Sequence, residues 1–285
     1  MTEPLDRAWL AAHPLPSPGT ESDKNKRGRV LAVGGSMLCP GGLMLTAEAA
    51  LRAGAGKVRL ATVAPAALPI GIAMPEAGVV ALPVDDRGEI AVEAAEAVIA
   101  NVARADALVF GPAMASADAA ARLAGPLLPA IGSVPVVFDA AAIGALRHRA
   151  AAVRALEGGA VLTPHHGEMA ALCGLAEAEV TADPVRHARE WAATFGAVVV
   201  LKAGDTIVAA PDATPLRYEG GGVGLATSGS GDVLAGIVAG LLARGAAPRD
   251  AAAWGVWLHG EAGRTLGAPG FLARELLPLI PALMD

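Results

Sequence analysis

Arg29-Val30-Leu31-Ala32-Val33-Gly34-Gly35-Ser36 is the stretch that decides the fold. Four apolar residues in a row stop at two glycines and a serine, the pattern of a strand buried on both faces that breaks into a loop. Downstream, residues 43–53 place Ala and Leu at helical spacing, and the glycines of 54–56 end that helix. Val58-Arg59-Leu60-Ala61-Thr62-Val63 then reads as the next strand. Strand, glycine loop, helix and strand together occupy about 35 residues, the size of a βαβ crossover.

The unit recurs along the chain. Residues 107–110 end at Gly111-Pro112, before a helical pattern over 117–128. Residues 134–138 end at Asp139, 160–162 at Thr163-Pro164, and 197–201 at Lys202-Ala203-Gly204. Residues 206–210 read as one strand of a hairpin, and two late helices cover 232–243 and 250–263. Continuous Val/Leu strands alternating with Ala-rich helices predict an α/β fold with a mostly parallel sheet covered on both faces. Residues 1–28 read as a polar, Pro-rich lead-in, and no shift in composition marks a linker. The expectation is a single domain over 1–285. Glycine and polar residues follow one strand end after another, and ligands bind along that edge of open α/β sheets.

Composition narrows the function. Hydrophobic residues make up 54% and aromatic residues 3%, with 35 glycines, so the apolar bulk is Ala, Val and Leu. That suits helices packed closely on a sheet and disfavours a base-stacking surface. Mean hydropathy is +0.49, yet the longest apolar run, 233–243, is too short for a membrane span and is broken by glycine. Met1-Thr2-Glu3-Pro4-Leu5-Asp6 lacks the basic region of a signal peptide, so the expected location is cytoplasmic. A net charge of −6 argues against a general nucleic-acid binder, and any phosphate site must be local. Cys39 and Cys173, far apart, suggest neither a metal framework nor a disulfide. His13, His148, His187 and His259 lack metal-ligand spacing and read as structural.

One segment suits phosphate chemistry. Gly224-Leu225-Ala226-Thr227-Ser228-Gly229-Ser230-Gly231-Asp232 runs into the apolar helix that starts near Val233. Glycines let backbone approach an anion, and free N–H groups at a helix start point at it. Asp232 at that position serves equally as an N-cap or as a base that activates a hydroxyl. Lys202, one of four lysines with Lys24, Lys26 and Lys57, follows a strongly apolar strand, where an idle ammonium is costly.

The ordered set of loops resembles one family. Lys24-x-x-x-Gly28, Gly34-Gly35-Ser36, Pro40-Gly41-Gly42 and the segment 49–56 come first. Thr163-Pro164-His165-His166-Gly167-Glu168, Lys202-Ala203-Gly204-Asp205-Thr206, the Asp232 loop and Leu258-His259-Gly260 follow. Together they resemble the NAD(P)H-hydrate dehydratases, a branch of the ribokinase-like superfamily. The resemblance implies a three-layer α/β/α sandwich and a lyase that removes water from (6S)-hydrated NADH or NADPH. The reaction is coupled to ADP (or ATP) cleavage with Mg²⁺, the hydrate hydroxyl being phosphorylated before phosphate leaves. Asp232 would be the base. Ser228, Gly229, Ser230 and Gly231 would form the anion hole, and Lys202, Ala203, Gly204, Asp205, Thr206, Ser230 and Gly231 would hold the nucleotide. Gly42, Gly111, His165 and Asp232 would meet the hydrated dinucleotide, and Glu168 would act on Mg²⁺ through water. Relatives look tetrameric, so a homo-oligomer is expected.

The chain departs from that pattern at defined places. Gly42 stands where relatives usually carry Ala, Ala113 where they carry the second Gly of Gly-Pro-Gly, and Ala141 where a second Asp is common. Lys202-Ala203-Gly204 inverts the usual Lys-Gly-Ala. Asp139 serves equally as a strand-end turn residue or a site carboxylate, and Lys24 as a phosphate contact or a solvated side chain. The same edge would serve an ATP-dependent kinase of a small alcohol, such as a hydroxymethylpyrimidine, thiazole or sugar. A nucleotide-binding protein without catalysis is the third reading.

Overall fold

A computed structural model describes residues 1–17, 26–267 and 269–284. Ten strands form one sheet: β1 (Glu3–Pro4), β2 (Arg29–Val33), β3 (Lys57–Val63), β4 (Ala77–Leu82), β5 (Ala107–Phe110), β6 (Val136–Phe138), β7 (Ala160–Leu162), β8 (Val198–Leu201), β9 (Asp205–Ala209) and β10 (Leu216–Glu219). Their order is β1-β10-β9-β8-β7-β6-β5-β2-β3-β4. All neighbours are parallel except β8 with β9 and β9 with β10. The fold is the expected α/β sandwich. β5, β6, β7 and β8 are buried along their whole length, which is why they read as unbroken apolar runs.

Strand order locates the ligand edge. From β2 the chain moves one way, through β3 to β4, and then returns to β5 on the other side of β2. With right-handed crossovers, this reversal puts the connecting helices on opposite faces. The loops after β2 and β5 therefore part at a switch point, where α/β sheets open a crevice. Here those loops touch: the Gly35 N–H donates to the Pro112 carbonyl at 2.9 Å, and the Ser36 hydroxyl to the Ala113 carbonyl at 3.1 Å.

Small residues bring two helices together on one face. A Cβ on Gly236 would fall 2.2 Å from the Thr46 carbonyl oxygen, and one on Gly240 would fall 2.5 Å from that of Ala50. The Ser230–Ala243 helix thus lies backbone to backbone against the Gly42–Arg52 helix. Both run in the same direction, and both begin at the ligand edge. The Pro248–Leu266 helix packs on the far side of Ser230–Ala243, with Gly255 seated on Val238.

Two stretches differ from the sequence reading. Glu3–Pro4 adds to the sheet beside β10, and the Arg7–Ala12 helix buries Trp9 and Leu10, so the lead-in is in part structured. The Trp254 indole N–H donates to the His13 carbonyl at 2.7 Å and fastens this segment. Lys24 lies outside the described residues. β4, an edge strand half exposed along most of its length, was not anticipated. Among the described residues no helix is long and apolar enough to cross a membrane.

Candidate active site

Adjacent strand ends deliver the charged groups. β6 ends at Asp139, β7 at Thr163, and β8 at Lys202; because the three strands are neighbours, their first loop residues meet. The Lys202 ammonium lies 3.0 Å from Asp139 Oδ1 and 3.8 Å from Glu168 Oε2. The Thr163 hydroxyl donates to the same Asp139 oxygen at 2.6 Å. Asp139 is 2% exposed and so depends on these two partners. Burial disfavours the Lys202 ammonium, but the carboxylates of Asp139 and Glu168, the hydrogen bond to Asp139 and the charge of Asp232 outweigh it and hold its pKa above the ordinary lysine value.

Asp232 sits opposite, in the first turn of the Ser230–Ala243 helix. Burial and the charge of Asp139 push its carboxyl up to about 7, against the opposing pull of Lys202 and of the Ala113 backbone N–H. The helix turns out of Gly229, which takes the left-handed conformation at φ 86°. Its first intrahelical bond runs from Val233 N–H to the Gly229 carbonyl at 3.1 Å, leaving the N–H groups of Gly231 and Asp232 without an intrahelical carbonyl. The Ser230 N–H is taken by the Thr227 carbonyl at 3.2 Å, so Ser230 offers its side chain rather than its amide. A Cβ on Gly231 would stand 3.2 Å from the Lys202 ammonium. Glycine keeps that approach open.

His165 and Glu168 form a reciprocal cap at the start of the His166–Cys173 helix. His165 Nδ1 accepts from the N–H groups of Gly167 and Glu168 at 3.0 and 3.3 Å. Glu168 Oε2 accepts from the His165 N–H at 2.8 Å. With Nδ1 occupied as acceptor, the neutral ring carries its proton on Nε2, 3.5 Å from Glu168 Oε1. The same two residues that cap this helix also line the cavity. His166 is half-buried, and its Nδ1 meets the Thr181 hydroxyl at 3.2 Å.

A cavity of about 1230 Å³ joins these groups; it is lined by Asp139, His165, Glu168, Lys202, Ala203, Gly204, Asp205, Thr206, Ser228, Gly229, Ser230, Gly231 and Asp232. Gly42 and Gly111 are not on its lining. Gly111, at φ 115°, abuts the Asp139 backbone, and Gly42 abuts Ala113. The Asp205 carboxylate is held by Arg217 on the neighbouring strand. Gly204 has open space around it, so the inverted Ala203-Gly204 order leaves a turn that either residue type can make. Ala113 and Ala140, at φ 57° and 49°, are the two non-glycine residues with positive φ among those described, and both flank this chemistry.

The sequence reading missed His259. It lines the cavity, and its Nε2 lies 2.9 Å from the Ser230 hydroxyl. Burial pushes its pKa down to about 4, so it is a neutral partner that fixes the side chain of Ser230. Its signal was the Leu258-His259-Gly260 motif. Among the described residues no group of three His, Cys, Asp or Glu side chains forms a metal cage. Glu168, at the cavity wall beside the helix mouth, supplies hard oxygens. That donor set fits a divalent ion that arrives with phosphates and keeps its waters.

The profile of the NAD(P)H-hydrate dehydratase family matches residues 30–278. The ADP-dependent (S)-NAD(P)H-hydrate dehydratase of Xanthomonas campestris is 47% identical over 98% of this chain and 94% of its own length. The ADP/ATP-dependent NAD(P)H-hydrate dehydratase of Bacillus subtilis, co-crystallised with ATP/Mg²⁺, superposes with a TM-score of 0.83 at 27% identity, covering 99% of this chain and 97% of the other. A ribokinase-like superfamily protein of Enterococcus faecalis superposes with a TM-score of 0.84 at 25% identity over 99% and 95% of the two chains.

Proposed function

The chain belongs to the NAD(P)H-hydrate dehydratase family, and on that premise we propose that it returns (6S)-hydrated NADH and NADPH to the intact cofactors while cleaving ADP to AMP and phosphate. Asp232 takes the proton of the hydrate hydroxyl, and the oxygen attacks the terminal phosphorus of ADP, releasing AMP. The phosphorylated carbon then expels phosphate as the neighbouring ring carbon gives up a proton, restoring the double bond. Phosphate is a far better leaving group than hydroxide. That difference is the reason for the coupling.

The observation that carries this reading is the setting of Asp232. A carboxyl held near pKa 7 at a helix mouth is matched to proton transfer near neutral pH. The free N–H groups of Gly231 and Asp232, with Lys202 beside them, suit the charge that develops on a transferring phosphoryl. Of loop 228–231, Gly231 gives its free N–H to the anion hole, while Ser230, its amide taken by Thr227, contributes a hydroxyl braced by His259. Segment 202–206 and Ser230 line the nucleotide side, His165 the dinucleotide side. Gly42 and Gly111 act on the dinucleotide through the backbone they pack against. Glu168 would hold Mg²⁺ through water, and the ion when bound would neutralise charge on the phosphates. We read 1–285 as one domain. A homotetramer is in keeping with Leu68 and Ile72, 73% and 74% exposed on one face of the Ala64–Ala73 helix beside the edge strand β4.

The test is incubation with hydrated NADH, Mg²⁺ and ADP or ATP while the absorbance of the reduced nicotinamide is followed. Recovery with ADP is the expected outcome, and Asp232→Asn should lower the rate by about 10²–10⁴. No recovery with either nucleotide, alongside ATP consumption with a small alcohol, would replace this reading with a kinase.

A further inference from the structure

Segment 111–115 passes between the two helix starts at the switch point and is pinned along its length. The Ser36 hydroxyl donates to the Ala113 carbonyl at 3.1 Å, Met114 N–H to the Gly111 carbonyl at 3.2 Å, and Ala115 N–H to Glu89 Oε1 at 3.0 Å. Glu89 is 3% exposed, an unusual burial for a carboxylate that meets a backbone amide. At the centre of this stretch Ala113 holds φ 57°, a conformation that glycine takes freely and side chains rarely adopt. Its N–H acts on Asp232. The same turn packs against the Asp139 segment, since a Cβ on Gly111 would fall 2.0 Å from the Asp139 carbonyl oxygen.

The Ala113 methyl has a definite neighbour. A Cβ on Gly42 would lie 2.7 Å from the Ala113 Cβ and 3.0 Å from Cys39 Sγ. Carbon atoms do not approach so closely, so positions 42 and 113 admit one methyl between them. Glycine at 42 and alanine at 113 are thus sterically coupled: the Ala113 methyl occupies the space that a methyl at 42 would need.

We propose that Gly42 and Ala113 are a matched pair that positions Asp232, with the empty space at Gly42 accommodating the methyl at 113 so that the pinned segment keeps its amide on that carboxylate. Alanine at φ 57° is strained where glycine is not, so the hydrogen bonds that pin the segment, and the room left by Gly42, are what hold its N–H in place. A methyl at 42 pushes segment 113 away from Asp232; removing the methyl at 113 makes room again. The proposal rests on Asp232 as base, and its failure can be told from failure of that assignment.

The experiment compares wild type, Gly42→Ala, Ala113→Gly, the double variant Gly42→Ala/Ala113→Gly, and Asp232→Asn. For each, kcat and KM for the hydrate, the pH profile of kcat and the thermal midpoint are measured. Gly42→Ala is expected to lose roughly 10–100-fold in kcat, since displacement of about 1 Å at a reacting centre costs that much. Its acid limb moves to higher pH, because Asp232, still facing Asp139, Glu168 and Lys202, loses the amide that favours its charged form. Ala113→Gly keeps the amide and stays within about threefold of wild type. The double variant regains both rate and pH profile. If Gly42→Ala fails to fold, the double variant must still fold and turn over. Wild-type kcat and pH profile in Gly42→Ala overturn the proposal, as does a double variant no better than Gly42→Ala. Full turnover by Asp232→Asn overturns the base assignment instead, whatever the pair does.

Discussion

Replacing Lys202 by Met keeps the bulk of the side chain and removes one charge from the middle of three carboxylates. The ammonium lies 3.0 Å from Asp139 and 3.8 Å from Glu168, with side-chain exposures of 21% for Lys202 and 3% for Asp139. At an effective dielectric of about 20, a pair 3.0 Å apart attracts by roughly 5 kcal/mol. Desolvation of both ions offsets part of this, and the Thr163 hydrogen bond to Asp139 survives the change. The expected net loss is about 2–4 kcal/mol, most of it the cost of an unpaired buried carboxylate. In a chain of this size that lowers the thermal midpoint by roughly 4–8 °C. The ammonium also favours the charged form of Asp232, so its removal carries the Asp232 midpoint above about 7 and moves the acid limb of kcat to higher pH. Scanning calorimetry and a pH–rate series read the two effects separately. Asp139→Asn added to Lys202→Met should recover more than half of the lost stability, because both charges are then gone. Unchanged melting and an unchanged pH profile in Lys202→Met would refute the reasoning.

The Asp232 carboxyl is raised to about 7 when folded, against an ordinary value of 3.8, so the folded state binds more protons than the unfolded chain between those values and stability falls as pH rises through that window. Asp232→Asn should therefore melt higher than wild type at pH 8, by on the order of 2–4 kcal/mol of unfolding free energy, with the gap closed at pH 4. Equal melting of the two proteins at pH 8 would contradict the burial argument. Gly236→Ala drives a methyl to 2.2 Å from the Thr46 carbonyl and should cost about 1–3 kcal/mol or more, seen as a lower midpoint in urea unfolding. Cys39 is exposed, whereas Cys173 is half-buried with its thiol pushed up to about 12. One thiol should react with a disulfide reagent in the native protein and two after denaturation; rapid reaction of both in the native state would argue against this packing.

What the sequence could reveal followed from burial. The central strands are covered on both faces, so apolar runs marked them within a residue or two. β4 escaped notice because an edge strand of Ala, Gly and Val with one wet flank carries neither an apolar run nor a clean alternation. The N-terminal Glu3–Pro4 strand is too short for any period to register, and its partner β10 lies far along the chain. Lys202, His165 and Glu168 were legible as strand-end residues. Asp139 stayed open between a turn and a site because its meaning depends on β6, β7 and β8 being neighbours. His259 was set aside as structural because nothing local ties it to Ser230, some 29 residues earlier on another helix.

The seam between the Gly42–Arg52 and Ser230–Ala243 helices bears on how the cleft can move. Where carbonyl meets glycine with no side chain between, there is no compliant layer to absorb sliding or rolling. The two helix starts, and with them Asp232, belong to a single stiff body. The β9–β10 hairpin forms another wall of the cavity, and stretch 220–229 leads from it to the Ser230–Ala243 helix, with Gly229 packed close to Leu45 of the neighbouring helix. Asp232 therefore stands on a wall of the cavity that backbone-to-backbone packing holds rigid.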